Sequence, residues 1–498
     1  MAITINSTPD NFEPVYTNSM PFVVSSGFQA EENFKYLFNL YNADTLGLLT
    51  TVAPYPRPNT TGIYSPHYVL QSLCDTQLRA TSSVIFTNSG ARARYYITFG
   101  ENYNPGLTFG DTYLIGSYVG NFLGLEFATN ISTELFIGDE ITIEKDNISI
   151  NPWIQGQGTI LGITNSTLPG YSKTVFTDIP LQSPFFSSNE SGSITNVFRY
   201  TATSSTFVGV NAARQYDDFT NFETTYAMNS TTPNRRFLSA YETSYFNNLT
   251  QKKPIYSNEY ETLDLITGTA TFTTLSNLYV RYFYYNSAGS LIGSEATNIG
   301  STTNVLRFTV PTGTANINAI GGSGSTFLNN GTLASYIVQA GVGNGSTPLP
   351  SNGISDGFYY EIKEDCRPYE VIRLAFLNKL GGYDYWSFNL VSKYTSQVKR
   401  TQIDRALSPT YTIGDRGRDV IYSEAVENWT INSDFLTDSD ALFIRELVES
   451  PSVFLIDGIN QLPVVITSDS YEYKSGLLNG YVQYTLTFQK AYDVIINR

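Results

Sequence analysis

The sequence predicts a mainly β, multidomain protein, and three observations carry that expectation. Only 15% of residues are charged, while 37 Tyr and 31 Phe stand among 38 Gly and abundant Thr, Ser and Asn. That balance suits short strands joined by polar turns better than long amphipathic helices, which draw on Glu, Lys, Ala and Leu. At 498 residues the chain exceeds one ordinary core, so about three domains are expected. Short apolar runs, alternating or continuous, recur between Gly, Pro and Asn clusters along the whole length. The expected blocks are β-sandwich or Ig-like modules, a small barrel, and a C-terminal β domain with one packed helix.

The first block covers residues 1–250. Phe34, Tyr36, Phe38 and Leu40 alternate with polar Lys35 and Asn39, the pattern of a strand with one buried face. Pro54, Pro56 and Pro58 break any ladder, and a short helix fits Tyr68 to Leu73. From about 134 to 180 the texture changes to brief strands around Gly138, Gly156, Gly158 and Gly170. These predict an inserted SH3-like barrel, a size that needs support from its neighbours. Gly138-Asp139-Glu140 reads as a β-turn whose aspartate caps its own backbone, since no further Asp follows at calcium-loop spacing.

Residues 251–345 carry strand patterns at Glu261–Ile266, Leu278–Tyr285, Leu291–Glu295, Val305–Val310 and Tyr336–Ala340. Their spacing predicts an Ig-like sandwich, without the Cys-Trp-Cys core of antibody domains. Gly321 to Ser325 lacks a following Gly-Lys-Ser/Thr, so it reads as a flexible loop rather than a phosphate cradle.

The third block, 346–498, holds the densest stretch of the chain. Ile372 to Leu377 is almost continuously apolar, as in a strand covered on both faces, and Gly381-Gly382 supplies a tight turn with positive φ at both glycines. Tyr383, Tyr385, Trp386 and Phe388 return as an aromatic strand. A core hairpin is the first reading. The second makes Tyr383, Tyr385 and Trp386, together with Trp429, polar-tipped rings of an interface. Asp438 to Glu449 predicts a helix, opened by Thr437 and Asp440 and stopped by Ser450-Pro451. Leu442, Phe443, Leu447 and Val448 form its expected apolar face, and the chain's end is expected to tie into the sheet.

Charge and rare residues narrow the chemistry. A formal charge of -15 opposes an extended phosphate-binding surface, so no nucleic-acid partner is expected. Arg235-Arg236, Lys252-Lys253 and Lys399-Arg400 read as isolated solvated or salt-bridged pairs. With one histidine, His67, and two cysteines, Cys74 and Cys366, a Cys/His zinc cluster or a Ser-His-Asp triad has almost no material. The domain boundaries above would make a Cys74–Cys366 disulfide an interdomain bridge, so two reduced thiols are expected. Neither a signal peptide nor a membrane span is expected, and no cofactor or metal. A glycosidase needs only two carboxylates, and Glu361, Glu364, Asp365 and Asp384 are the candidates weighed for it.

Three segments carry a family resemblance. Phe376-Leu-Asn-Lys-Leu-Gly-Gly-Tyr-Asp-Tyr-Trp-Ser-Phe388, the block from Glu446-Leu-Val-Glu-Ser-Pro451 through Pro463-Val-Val-Ile-Thr467 to Tyr484-Thr-Leu-Thr-Phe488, and the Gly138-Asp-Glu-Ile141 segment resemble structural proteins of tailed bacteriophages with Bacteroidetes-type hosts. The resemblance implies a non-enzymatic virion component of the tail, baseplate or neck, assembled in the host cytoplasm. Its implied partners are other virion proteins and further copies of itself, and it transfers no catalytic residue. The alternative role is a receptor-binding or head-decoration protein that contacts host-surface glycans. A glycan-cleaving enzyme is the third.

Overall fold

A computed structural model describes residues 3–10, 12–16, 20–57, 61–116, 121–145, 154–180, 191–212, 222–228, 235–243, 245–246, 249–268, 278–300, 306–342, 354–364, 369–415, 417–468, 483–492 and 494–497. Strands dominate, arranged in several sheets. The chain divides into two compact units, Met1–Leu73 with Ala93–Gly209, and Cys74–Arg92 with Val210–Arg498.

In the first unit, β1 (Glu32–Asn42) pairs antiparallel with β2 (Arg92–Asn104). Phe34, Tyr36, Phe38 and Leu40 are buried as expected, but Leu37 and Asn39 on the other face are buried too, so the expected one-sided alternation is corrected to a strand buried on both faces over 36–40; Phe38 packs on Phe99 with ring centroids 5.7 Å apart. Beyond β2 the same 12-stranded sheet curls into a closed ring. Its members are β3 (Leu107–Phe109), β4 (Asp111–Gly116), β5 (Asn121–Phe127), β6 (Glu140–Lys145), β7 (Ile154–Asn165), β8 (Lys173–Pro180) and β9 (Gly192–Thr203). β9 pairs β6, β6 pairs β7, β7 pairs β8, β8 pairs β5 and β5 pairs β4. β3, separated from β4 by Gly110 alone, pairs back to β9 and closes the ring.

A small barrel is therefore present, but the expected bounds of 134–180 are too narrow. Strands before and after that stretch complete the ring, and β9 also pairs with β2, so the barrel is continuous with the main sheet rather than an insertion. The reason is closure: the strands within 134–180 leave two open edges, which β5 and β9 cover. Leu123, Leu125, Phe127, Ile141, Ile143 and Val175 are buried in it. At the Gly138 turn, Asp139 Oδ2 accepts from the Phe136 backbone N–H at 2.9 Å, the expected self-cap. It also holds the buried Arg199 guanidinium at 2.6 Å.

Among the described residues the second unit contains a two-stranded sheet, Tyr245–Phe246 with Leu249–Thr250, and three larger sheets that share one continuous core. β10 (Lys253–Tyr256), β12 (Leu278–Tyr285), β13 (Leu291–Gly300), β15 (Ser335–Val342) and β16 (Phe358–Lys363) form a five-stranded sheet in the order β10-β16-β15-β12-β13. β11 (Thr262–Thr267) and β14 (Arg307–Pro311) lie in a four-stranded sheet with the short strands Ala227–Met228 and Phe86–Thr87. The third sheet has eight strands. β17 (Ile372–Leu377), β18 (Tyr383–Phe388), β19 (Lys393–Asp404), β20 (Arg418–Asn432), β21 (Val453–Asp457), β22 (Asn460–Ile466) and β23 (Thr485–Lys490) run in the order β18-β17-β21-β22-β23-β20-β19, and β24 (Val494–Asn497) pairs β20. The chain's end is thus tied into the sheet, as expected.

The sandwich-like pair of sheets is real, yet a division at 345 is not where the structure draws one. β10 pairs in parallel with β16, and a single apolar cluster runs from Met228 and Ile255 through Tyr336 to Leu374, Phe443 and Phe488. Residues 251–345 and 346–498 share that core, so neither buries its faces alone. The expected linker 343–350 lies outside the described residues.

A helix begins where a flexible loop was expected at Gly321 to Ser325, directly after another. α1 (Thr314–Ile320) and α2 (Gly322–Asn329) flank Gly321. The Glu295 carboxylate accepts from the backbone N–H groups of Ser323 and Gly324, which stabilises the first turn of a sequence with poor helix propensity. α3 (Asp438–Glu449) has the predicted capping box between Thr437 and Asp440. Its buried face is Ala441, Phe443, Ile444 and Leu447, while Leu442 faces solvent. No helix among the described residues is long and apolar enough to cross a membrane.

Candidate interaction surface

The β17–β18 hairpin is where the second unit's polar and apolar interiors meet. Every residue of β17 except Leu377 is buried, and in β18 only Ser387 is not. The turn is a five-residue loop, Asn378–Gly382, whose Asn378 side chain accepts from the N–H groups of Leu380 and Gly382, both at 2.9 Å. Only Gly381 takes a positive φ, +83°, so the expectation of two such glycines is corrected. Gly382 is needed for space, because a Cβ there would meet the Leu238 carbonyl oxygen at 2.1 Å.

Tyr383, Tyr385 and Trp386 are core residues, which overturns their reading as interface rings. The Tyr385 hydroxyl is 2.7 Å from Thr262 Oγ1, and burial drives its pKa far above the ordinary tyrosine value. Trp386 stacks on Tyr241 and packs against Phe443. Tyr383 sits against Phe454. Dense aromatic sequence here marks a core hairpin: the rings pack into the unit's apolar clusters, with Trp386 also reaching the wall of a surface cleft.

Arg373, within the apolar β17 run, joins a buried charge cluster. Its guanidinium donates to Glu259 at 2.8 Å and Glu261 at 2.5 Å, while Lys253 Nζ sits 2.8 Å from Glu261. Burial pulls the Arg373 pKa down, but the two carboxylates more than offset it and hold it above the ordinary value. Tyr360 also donates to Glu261 at 2.9 Å. Lys253 and Arg235 were expected on solvated or salt-bridged faces; Lys253 is salt-bridged to Glu261, but it is buried rather than on a face, and Arg235 is buried too, with Nη1 donating to the Glu223 carbonyl at 2.9 Å. Arg236 does face solvent, paired with Glu242.

The described glycosidase candidates stand in separate surroundings. Asp384 is buried and accepts from Ser239 Oγ, the Ala240 N–H and Asn378 Nδ2 at 2.5–2.7 Å. Burial raises its pKa, with Lys253 and these donors pulling the other way. Glu361 pairs with Lys363 at the surface, Glu364 is exposed, and Asp365 and Cys366 lie outside the described residues. Cys74 is buried, and loss of solvent pushes its thiol up to about 12. Both cysteine positions fall in the second unit, so the interdomain argument against a bridge no longer applies. Among the described residues no three His, Cys, Asp or Glu side chains gather into a metal-binding group.

Two surface features remain. One is a cleft of about 280 Å³ lined by Tyr256, Lys363, Trp386, Asn389, Asp434 and Phe435, with Phe435 68% exposed. The other is larger. β19 and β20 form a long hairpin in which all twelve residues of β19 are exposed. β23 and β24 flank only residues 422–432 of β20, so the remainder projects as a two-stranded ribbon. Ile403, Leu407, Tyr411, Ile413, Val420 and Ile421 are exposed apolar side chains on this projection. The tip is nonetheless built: Arg405 pairs with Asp419 at 2.7 Å, Arg418 with Asp404 at 2.8 Å, and Asp415 Oδ2 accepts from the Thr412 N–H.

Trp429 anchors the base of this arm. It lies between Tyr394, directly across in β19, and Phe488, directly across in β23, with Phe488 stacked at 5.4 Å and 3°. Lys490 Nζ sits 5.6 Å over the Trp429 ring and bonds Glu427. Of the four rings proposed from sequence, Trp429 alone belongs to the exposed arm. The arm itself was missed, because Lys393 to Asp404 is polar on both faces and lacks the alternation that reveals a strand. No protein-family model matches the chain, and a search of curated proteins finds no match.

Proposed function

We propose that this chain is a non-enzymatic structural subunit of a tailed-phage particle, placed in the tail, baseplate or neck and working as a symmetric oligomer. The observation that carries the reading is the β19–β20 arm. A two-stranded ribbon has little stability in water, and six exposed apolar side chains within residues 403–421 are more than an isolated soluble subunit gains from. Contact with another subunit gives both features a purpose. The resemblance of the β17–β18 hairpin and the C-terminal block to phage structural proteins supports the same role. So does the engagement of Glu259, Glu261, Asp264 and Asp384, each held by buried cations or donors and so committed to the core.

The test is mass spectrometry of purified particles, with peptides from this chain expected at multiple copies per particle. Particles without any such peptide refute the reading. The second reading, a receptor-binding or decoration protein, draws on the cleft beside Phe435, where an aromatic face adjoins Asn389 and Asp434, a pairing that suits sugar rings. Binding of host polysaccharide that is lost in Phe435→Ala favours it over the first. Release of oligosaccharide by the purified chain would make it an enzyme instead.

A further inference from the structure

We propose that the first unit carries a binding site for a neutral glycan, on the face of the β1–β2–β9 sheet opposite the Phe38–Phe99 packing. The inference goes beyond the assembly role, and it uses neither the arm nor the cleft beside Phe435. β2 runs between β1 and β9, with the strand Leu48–Val52 on the far side of β1. Residues directly opposite one another in an antiparallel ladder present their side chains to the same face. The pairing therefore places Thr51, Asn39, Thr98 and Thr203 in one polar row across four strands. The rows on either side are aromatic. Tyr41 lies opposite Tyr96, their rings stacked at 5.0 Å and 6°, and Tyr200 lies opposite Gly100.

Gly100 explains how Tyr200 is held. A Cβ there would meet Tyr200 Cδ1 at 2.8 Å, so the bare glycine lets the ring rest on the sheet. A bulge follows at once, since Tyr200 faces Gly100 but Ala202 faces Phe99, and bulges re-aim the side chains beside them. The ring stays 50% exposed. Tyr96 and Gly100 are four residues apart on β2, so the two aromatic rows stand about 13 Å apart. Between them lies a depression of about 410 Å³, lined by Asn39, Tyr41, Thr98, Tyr200 and Thr203 among others.

Three observations point to a sugar. Asn39 is only 6% exposed, yet one end of its amide alone is engaged: Oδ1 accepts from Thr51 Oγ1 at 2.7 Å, while Nδ2 bonds no other group among the described residues. A buried amide donor that faces a depression is satisfied by what enters it. The amide and hydroxyls of the polar row together donate and accept, as sugar hydroxyls do, whereas a proline-rich peptide offers acceptors alone. Finally, no residue lining the depression is charged, in a chain of net -15. Recognition of phosphate or carboxylate groups needs cations. A neutral ligand with flat apolar faces to stack on tyrosine rings fits instead.

The experiment is isothermal titration calorimetry of the full-length chain with cellohexaose, maltohexaose, mannohexaose and N-acetylchitohexaose, and with a proline decapeptide. At least one hexasaccharide is expected to bind. Tyr200→Ala is expected to weaken that binding about tenfold by removing a stacking ring, and Thr98→Val, which keeps the shape and deletes a hydroxyl, about threefold. Phe435→Ala is expected to leave it unchanged, and all three variants to keep the parent's circular dichroism. No binding of any hexasaccharide at millimolar concentration, binding of the decapeptide alone, or binding that survives both Tyr200→Ala and Thr98→Val would each overturn the proposal. Loss in Phe435→Ala but in neither of the others would overturn it too, by moving the glycan to the second unit's cleft. Its failure is separable from that of the assembly role: a chain found in particles that binds no glycan loses this site and keeps that role.

Discussion

Two hairpins lie five residues apart in one sheet and obey opposite rules. β17–β18 buries nearly every side chain, polar ones included, whereas β19 exposes all twelve of its own. The first is held by contacts that its own chain completes: Arg373 on Glu259 and Glu261, Asp384 under three donors, and Gly381 against the Asn211 carbonyl. The second is held at its base by the Tyr394–Trp429–Phe488 ladder and further out by exposed ion pairs. A hairpin that finishes its contacts internally builds a core, and one that leaves them open is built to meet something else.

The largest effect that would break this contrast is expected at Arg373. Arg373→Met strips buried Glu259 of its cation and leaves Glu261 with Lys253 alone, and removing one partner of such a group costs about 3–5 kcal/mol. Urea unfolding of the second unit should report that loss, and a loss below 1 kcal/mol would mean the cluster is not a structural fixture. Gly381→Ala comes next. It combines a φ of +83° with a Cβ 1.5 Å from the Asn211 oxygen, for which about 2–3 kcal/mol is the expected cost. Gly458→Ala, at φ +57° but with open space around it, is the matched control and should cost clearly less.

What the sequence made readable follows the same divide. The β17–β18 hairpin and the α3 capping box are local: an apolar run, a glycine turn, and a Thr and an Asp three residues apart. The charge cluster is not, because Arg373 meets carboxylates over a hundred positions away in the chain. α2 was hidden since Gly-Ser-Gly-Ser-Thr has poor helix propensity, and its support comes from Glu295 on a neighbouring strand. Gly324 fits there because any side chain would strike the Tyr284 hydroxyl. The barrel was half seen, its central strands announced by glycines and its closing strands β5 and β9 visible only through pairing. Of the candidate interface, Trp429 was named, but β19 has no buried face to impose a period on its sequence.

Smaller changes sharpen the comparison at the arm. Trp429→Ala removes a half-buried ring stacked on Phe488 and is expected to cost about 1–2 kcal/mol, less than a core aromatic because part of the ring already faces water. Its signature is loss of hydrogen-exchange protection in β19 and β20 while β17 and β18 keep theirs; equal loss in both hairpins would show the arm to be part of the core. Tyr411→Ser with Ile413→Ser, at the tip, should leave stability within about 0.5 kcal/mol and weaken self-association. A shift in melting without a change in association would put the tip's role inside the subunit.

The smallest effect distinguishes the hairpins by pH. Glu427 at the arm base is held below its ordinary value of 4.5 by hydrogen bonds from Lys490 and then Tyr394, so its contribution is present above pH 4.5 and is lost as pH falls through the depressed folded value. Lys490 is raised above 10.5, chiefly by Glu427; its share is present below 10.5 and disappears as pH rises through the raised one. Asp384 has the opposite sign to Glu427. Burial raises it above 3.8, so the ionised form is disfavoured and acid does not remove its contribution. Between pH 6 and pH 3.5, therefore, exchange protection corrected for intrinsic rate should fall at residues 426–430 of β20 while that of residues 383–388 holds. Because the Glu427–Lys490 pair is partly exposed to solvent, 0.5 M salt should blunt the change. If acid instead releases β18 first, the buried cluster and not the arm is the sheet's weak point, and the division between a self-completed hairpin and an open one fails.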